Sequence, residues 1–177
     1  DLEEVHAAQD DHVVRAPRDP AHAPVTRTRG ARQQVRTLGE ELLGQVQLRL
    51  PPQAQAFSDT VRTSLAHMLV SRVGPRLQPG TRSYSRSWIR DGAMMAEGLN
   101  RLGMAEHSAD YLRWYAPYVF ENGKVPCCVD ARGADPVPEN DSHGEFVFLA
   151  AETYRYTKDE ALLRQVWPQV QKAIAYM

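Results

Sequence analysis

Apolar side chains divide the chain into a patternless first part and a regularly patterned remainder. Residues 1 to about 36 carry scattered apolar groups, Leu2, Val5, Val13, Val14, Val25 and Val35, among prolines, histidines and balanced charges, with neither helical nor strand period. Residues 1–44 are therefore read as a linker or the end of a preceding module, and 45–177 as the folded part. Val46, Leu48 and Leu50 alternate with Gln45, Gln47 and Arg49 and stop at Pro51 and Pro52, which predicts a short strand. Beyond it the period becomes helical. Phe57, Val61, Leu65, Met68 and Leu69 form one stripe, closed by Gly74 and Pro75. Met95, Leu99 and Leu102 mark a second helix over about Asp91–Leu102, with Gly92, Ala93, Ala96 and Gly98 allowing close approach of neighbours. Ala109, Leu112, Ala116 and Val119 mark a third over about Ala105–Phe120, bent at Pro117.

A fourth helix, about His143–Tyr156, runs Phe146, Val147, Phe148, Leu149, Ala150, Ala151, apolar nearly all round, as an interior helix requires. The fifth opens on Thr157 and Glu160 in capping-box spacing. It carries Leu162, Val166, Val170 and Ile174 at four-residue steps beside Leu163, Trp167 and Ala173, and Pro168 is expected to kink or restart it. The second-to-third and fourth-to-fifth connections are short, which makes those pairs antiparallel hairpins. The connections over about 74–90 and 121–142 are long and rich in Gly, Pro, Asp, Asn and Arg. Because successive helices reverse direction, both long loops should open at the end where the second and fourth helices begin, with Trp88 and Asp141 on one rim. Loops of this length within a compact domain are usually functional. Met177 follows an unbroken helical pattern with no stop signal, which reads as a chain cut inside a helix.

Composition narrows the function classes. In 177 residues, 21 basic against 22 acidic side chains give no general attraction to nucleic acid or anionic lipid, and the Arg27, Arg29, Arg32, Arg36 cluster reads as a solvated segment. No apolar run approaches the ~18 residues of a membrane span. Cys127 and Cys128 are sequence neighbours, so a bridge between them needs a strained turn, and they leave the compartment open. His67, His107 and His143 are widely separated and no spaced cysteine pair exists, so neither a metal nor another cofactor is expected. The sequence also has no Gly-x-Ser-x-Gly elbow and no phosphate-cradling glycine loop.

The two rim loops hold the candidate chemistry. Trp88 offers a flat face for sugar C–H groups, while Arg90 and Asp91 supply forked donors and paired acceptors matching vicinal hydroxyls. In the purely structural alternative, Asp91 caps a helix, Trp88 anchors the core and Arg90 completes an ion pair. Asn140, Asp141 and Glu145 place a carboxamide and two carboxylates at a buried helix start, suited to a neutral polar ligand, and one of them is expected to titrate abnormally. Capping by Asn140, Asp141 or Ser142 is the competing role. Trp114 and Tyr115 read as packing residues.

The segment Tyr84-Ser85-Arg86-Ser87-Trp88-Ile89-Arg90-Asp91 resembles the tryptophan-x-arginine-aspartate segment of the six-hairpin glycosidases, a group that includes glucoamylases, trehalases and processing α-glucosidases. Gly123-Lys124-Val125-Pro126, Glu139 through Glu145, and Tyr154 through Asp159 are similar to the next rim loop and inner helix of the same barrels. The resemblance covers about 45–177 and is most specific from 80 onward. It implies an all-α fold, an incomplete (α/α)6 toroid of about two and a half hairpins. It also implies inverting hydrolysis of a glycosidic bond by two carboxyl groups.

Under that resemblance Trp88, Arg90 and Asp91 take a substrate-binding role in the terminal-sugar pocket. The catalytic acid and base are expected beyond Met177. The second and fourth helices start about 52 residues apart, so six hairpins would need about 310 residues. An isolated chain of this kind is expected to aggregate or unfold in part through uncovered apolar surface. The expected partner is an oligosaccharide or glycoside, with oligomeric state left open. The alternatives are a helical-hairpin protein-binding scaffold, or an epimerase, lyase or phosphorylase acting on sugars on the same barrel.

Overall fold

The computed structural model of the protein describes Val46 and residues 48–177. The segment read as a linker and the Arg27–Arg36 cluster lie outside the described residues. Five α-helices are described: α1 (Gln55–Ser71), α2 (Ile89–Arg101), α3 (Ala105–Tyr115), α4 (Ser142–Thr157) and α5 (Glu160–Tyr176). A small antiparallel sheet of β1 (Ser87–Trp88), β2 (Cys128–Asp130) and β3 (Gly133–Ala134), ordered β1-β2-β3, lies within the two long loops. No described helix is long and apolar enough to cross a membrane.

The helices form where the apolar period placed them, with corrections at their ends. The strand read over Val46, Leu48 and Leu50 is not seen: these side chains are exposed, and among the described residues no strand pairs with them. In α1 the buried residues are Ser58, Leu65 and Leu69, whereas Phe57, expected in the stripe, is 72% exposed. Past Tyr115 the third helix tightens into a 3-10 turn over Ala116–Tyr118, since Pro117 cannot supply an α-helical N–H. The helix α5 does not start with a Thr157 capping box. Thr157 belongs to α4, where its hydroxyl bonds the Thr153 carbonyl at 2.8 Å, and Asp159 caps α5 by accepting the Leu162 N–H at 2.9 Å. Nor does Pro168 restart α5. Pro168 and Arg164 both lie on the exposed face, so water can satisfy the carbonyl the proline leaves free.

The core is built around α4, which packs against α2, α3 and α5. Phe146, Leu149 and Ala150 of α4 meet Ile89, Ala93, Ala96 and Leu99 of α2, Leu112 of α3 and Leu162, Val166 and Val170 of α5, all buried in one cluster. Each large side chain so buried contributes about 2 kcal/mol of transfer free energy. The all-round apolar pattern of α4 is only partly used, for Phe148 stays 40% exposed, as do Trp167 at 47% and Ile174 at 49% on α5. Arg90 in the first turn of α2 meets Asp141 just before α4, and Arg101 at the other end of α2 lies near Tyr156 and Glu152 late in α4. The two helices therefore run side by side in one direction, and the loops leading into them share one end of the bundle.

Candidate functional site

The loop before α2 and the loop before α4 are joined strand to strand. Ser87 stands opposite Val129 and Trp88 opposite Cys128, and β2 then turns back so that Val129 faces Ala134 and Asp130 faces Gly133. Buried polar contacts tie this sheet to the helices beneath. The Ser87 hydroxyl donates to the Leu77 carbonyl at 2.7 Å and lies 3.1 Å from the phenol of Tyr111, while Tyr115 donates to the Pro126 carbonyl at 2.8 Å. Burial pushes both phenols up, so they stay protonated and serve as neutral hydrogen-bonding posts. Gly92 makes room for the Tyr111 ring, and Gly123 turns the second loop at φ +92° against the carbonyl of Lys172.

His143 fixes the same loop from below. Its Nε2 accepts the Val125 N–H at 3.2 Å, and its ring stacks on Tyr176 with centroids 4.8 Å apart. Burial, with the nearby Lys124 charge, holds the imidazole below its ordinary value of 6.5. The folded state thus prefers the neutral ring. Its contribution to stability is complete above pH 6.5 and is lost as pH falls through the folded value. The midpoint of thermal unfolding should be lower near pH 5 than near pH 7.5, and His143→Gln should shrink that difference. An undiminished difference in the variant would show that other groups carry it.

Across the sheet, Arg86 binds two carboxylates, its Nε 3.0 Å from Asp130 Oδ2 and its Nη2 2.5 Å from Asp135 Oδ2. The hydrogen bond from Arg86 holds the Asp135 carboxyl below the usual carboxylate range. At Asp130 burial acts the other way, but hydrogen bonds from Arg132 outweigh it and the carboxyl is also lowered. Arg86 in addition lies over the Trp88 ring, 5.6 Å from its centroid, with Tyr84 tilted alongside at 6.0 Å. Arg86 and Tyr84 thus already take up part of the Trp88 ring surface.

Arg90 makes the second link between the loops. Its Nη1 lies 3.0 Å from Glu139 Oε2 and 2.6 Å from Asp141 Oδ2, with all three side chains between 30% and 41% exposed. Burial works against the Arg90 cation, yet the hydrogen bond to Asp141 and the surrounding negative charge raise its pKa, so it stays charged. Both carboxylates sit on one terminal nitrogen, leaving the other donors of the fork and the second carboxylate oxygens for a ligand. Asp141 occupies the N-cap position of α4, but its side chain makes no cap hydrogen bond and turns to Arg90 instead. Glu145, one turn into α4, is raised by burial and by the Asp141 charge, with Arg90 opposing.

Asp91 lies in the first turn of α2, where Trp88 and not Asp91 is the capping residue. Asn140 is exposed at the head of α4. Trp88, Arg90, Asp91, Asn140, Asp141 and Glu145 thus gather where α2 and α4 begin, with the Arg90–Asp141 contact as the direct bond between the loops. Trp114 packs against Tyr111, Tyr115 and Tyr118, as a packing residue should.

Two clusters had no counterpart in sequence spacing. Cys127 and Cys128 are unbridged and buried with sulfurs 3.3 Å apart, and with Asp135 they place three potential metal-ligand atoms within 4.8 Å of one another. Burial pushes both thiols up, and Asp135 is already bound by Arg86. The donors are thus held as protonated thiols beside a guanidinium, a poor setting for a cation. The second cluster is a group of arginines, Arg72, Arg76, Arg86 and Arg132, around a cavity next to the sheet. The adjacent cysteines are visible in the sequence but their approach to Asp135 is not, and the arginines come together from the segment after α1, the residue before β1 and the β2–β3 turn. No family model, curated protein or solved structure matches this chain.

Proposed function

We propose that these residues form part of the terminal-sugar pocket of an inverting glycoside hydrolase, with this chain supplying the first two and a half hairpins of an (α/α)6 toroid. The observation that carries the reading is Arg90 held on one nitrogen between Glu139 and Asp141. It sets unspent donors beside unspent acceptors at the head of two parallel helices. Vicinal hydroxyls each donate and accept, so a surface offering both within a few ångströms suits a neutral polyol better than an ion. Asp91 and Asn140 extend the polar rim, and the half-buried Trp88 would offer an apolar edge to the C–H side of a pyranose.

In this reading Trp88, Arg90, Asp91, Asn140, Asp141 and Glu145 bind and orient the sugar. The group that protonates the leaving oxygen and the base that activates water come from later hairpins. Binding energy gathered on the terminal sugar would hold the scissile bond against that pair. The stereochemistry of the first product tests this. Proton NMR of a glycoside being cleaved by the enzyme with all its hairpins should show the sugar released first with inverted anomeric configuration. Retention of configuration, or no cleavage of any neutral glycoside, would overturn the proposal.

A further inference from the structure

Beside the sheet, between the end of α1 and the β2–β3 turn, lies a cavity of about 460 Å³. This is within the size range of small-molecule sites. Four arginines line it, Arg72, Arg76, Arg86 and Arg132, and among the described residues the only carboxylate in the lining is Asp130. The arginines reach it from three places in the chain: Arg72 and Arg76 after α1, Arg86 before β1, and Arg132 in the β2–β3 turn.

Three of the four have partners. Arg72 bonds His107, Arg86 bonds Asp135 and pairs by charge with Asp130, and Arg132 bonds Asp130 at 2.6 Å. Arg76 differs. It is only 8% exposed, no ion pair is made to it among the described residues, and its Nε is buried without a hydrogen-bond partner. A guanidinium taken out of water with no counter-ion is strongly unfavourable, and a bound anion would offset that cost. The wall also holds an unused acceptor. Gln78 is 1% exposed, its Nε2 bonds the Gly80 carbonyl at 3.0 Å, and its Oε1 is buried without a partner.

We propose that this cavity is a binding site for a tetrahedral oxyanion of the phosphoryl class, with Arg76 as its central cation. Arginines converging from separate elements suit an anion with oxygens in several directions. A carboxylate is planar and is satisfied by one fork. The Gln78 carbonyl oxygen would accept from a protonated phosphate oxygen or a neighbouring ligand hydroxyl, giving the wall both kinds of group a phosphate monoester presents. The site is separate from the Arg90 cluster and does not depend on the saccharide reading.

Calorimetric titration of the chain with inorganic phosphate, and with a hexose phosphate, at constant ionic strength tests it. Saturable one-to-one binding of either ligand is expected, and tighter binding of the hexose phosphate would identify a phosphorylated small molecule rather than the free ion as the better fit. Arg76→Met, which keeps the buried stem, should weaken binding by at least about tenfold. Arg132→Ala, at an exposed position, should weaken it by about threefold and serves if the Arg76 variant does not fold. The proposal is overturned if neither ligand gives saturable binding, if acetate or citrate binds as well as phosphate, or if a folded Arg76→Met and Arg132→Ala both bind like the parent.

Discussion

Gly92→Ala should cost about 3 kcal/mol of stability and lower the unfolding midpoint by about 10 °C. A Cβ at this position would lie 2.1 Å from the Tyr111 hydroxyl oxygen, 2.3 Å from Cζ and 2.4 Å from Cε1. The ring cannot swing aside freely, because Tyr111 is fully buried and its hydroxyl is shared between Ser87 at 3.1 Å and the Trp88 carbonyl at 3.4 Å. Since those two residues form β1, displacing the ring also loosens the sheet that joins the loops. Tyr111→Phe should not rescue the variant, for the ring carbons still overlap the new methyl. A midpoint within about 2 °C of the parent would mean that α2 and α3 can part more easily than their packing implies.

Arg90→Ala should separate binding from stability. The pairs to Glu139 and Asp141 are 30% to 41% exposed and therefore screened, so their loss should cost only about 1 kcal/mol of folding stability. Under the proposed function, glycoside turnover by the enzyme with all its hairpins should fall much further, by about 100-fold in kcat/KM, through loss of the charge-assisted bonds that Arg90 would make to the sugar. Two carboxylates would also face each other without a cation, and Glu145, which Arg90 now pulls down, should titrate higher still. Unchanged turnover with a modest stability loss would make Arg90 a structural ion-pair partner only.

How far each feature could be read from the sequence follows from the range of the interactions that make it. Helices α2 to α5 were legible because local periodicity and short connections define them, and the common end of the two long loops follows from parity alone. The sheet was not, since β1 and β3 are two residues each and the pairing of Trp88 with Cys128 has no local pattern. The strand expected at Val46, Leu48 and Leu50 failed for the converse reason, alternation with no partner strand among the described residues.

Within the site, residue types on the rim were legible but their bonds were not. Asp141, read as a ligand group with capping as the competing role, makes no cap hydrogen bond and binds Arg90, and Trp88, read as an open face, carries Arg86 over its ring. The arginine cavity needed folding to appear, because Arg76 and Arg132, far apart in sequence, line one space only in the folded chain. Toroid closure and saccharide chemistry rest on the resemblance of the Trp88–Asp91 and Glu139–Glu145 segments together with the polar geometry at the head of α2 and α4.

The most direct test is a titration of the isotopically labelled chain with neutral oligosaccharides, followed residue by residue in amide and indole NMR spectra. Shifts gathered at residues 84–92 and 139–145, saturating together and absent in Arg90→Ala, are the predicted result. Spectra unmoved by every saccharide at millimolar concentration, or shifts confined to the opposite end near Gly103 and Lys158, would contradict it.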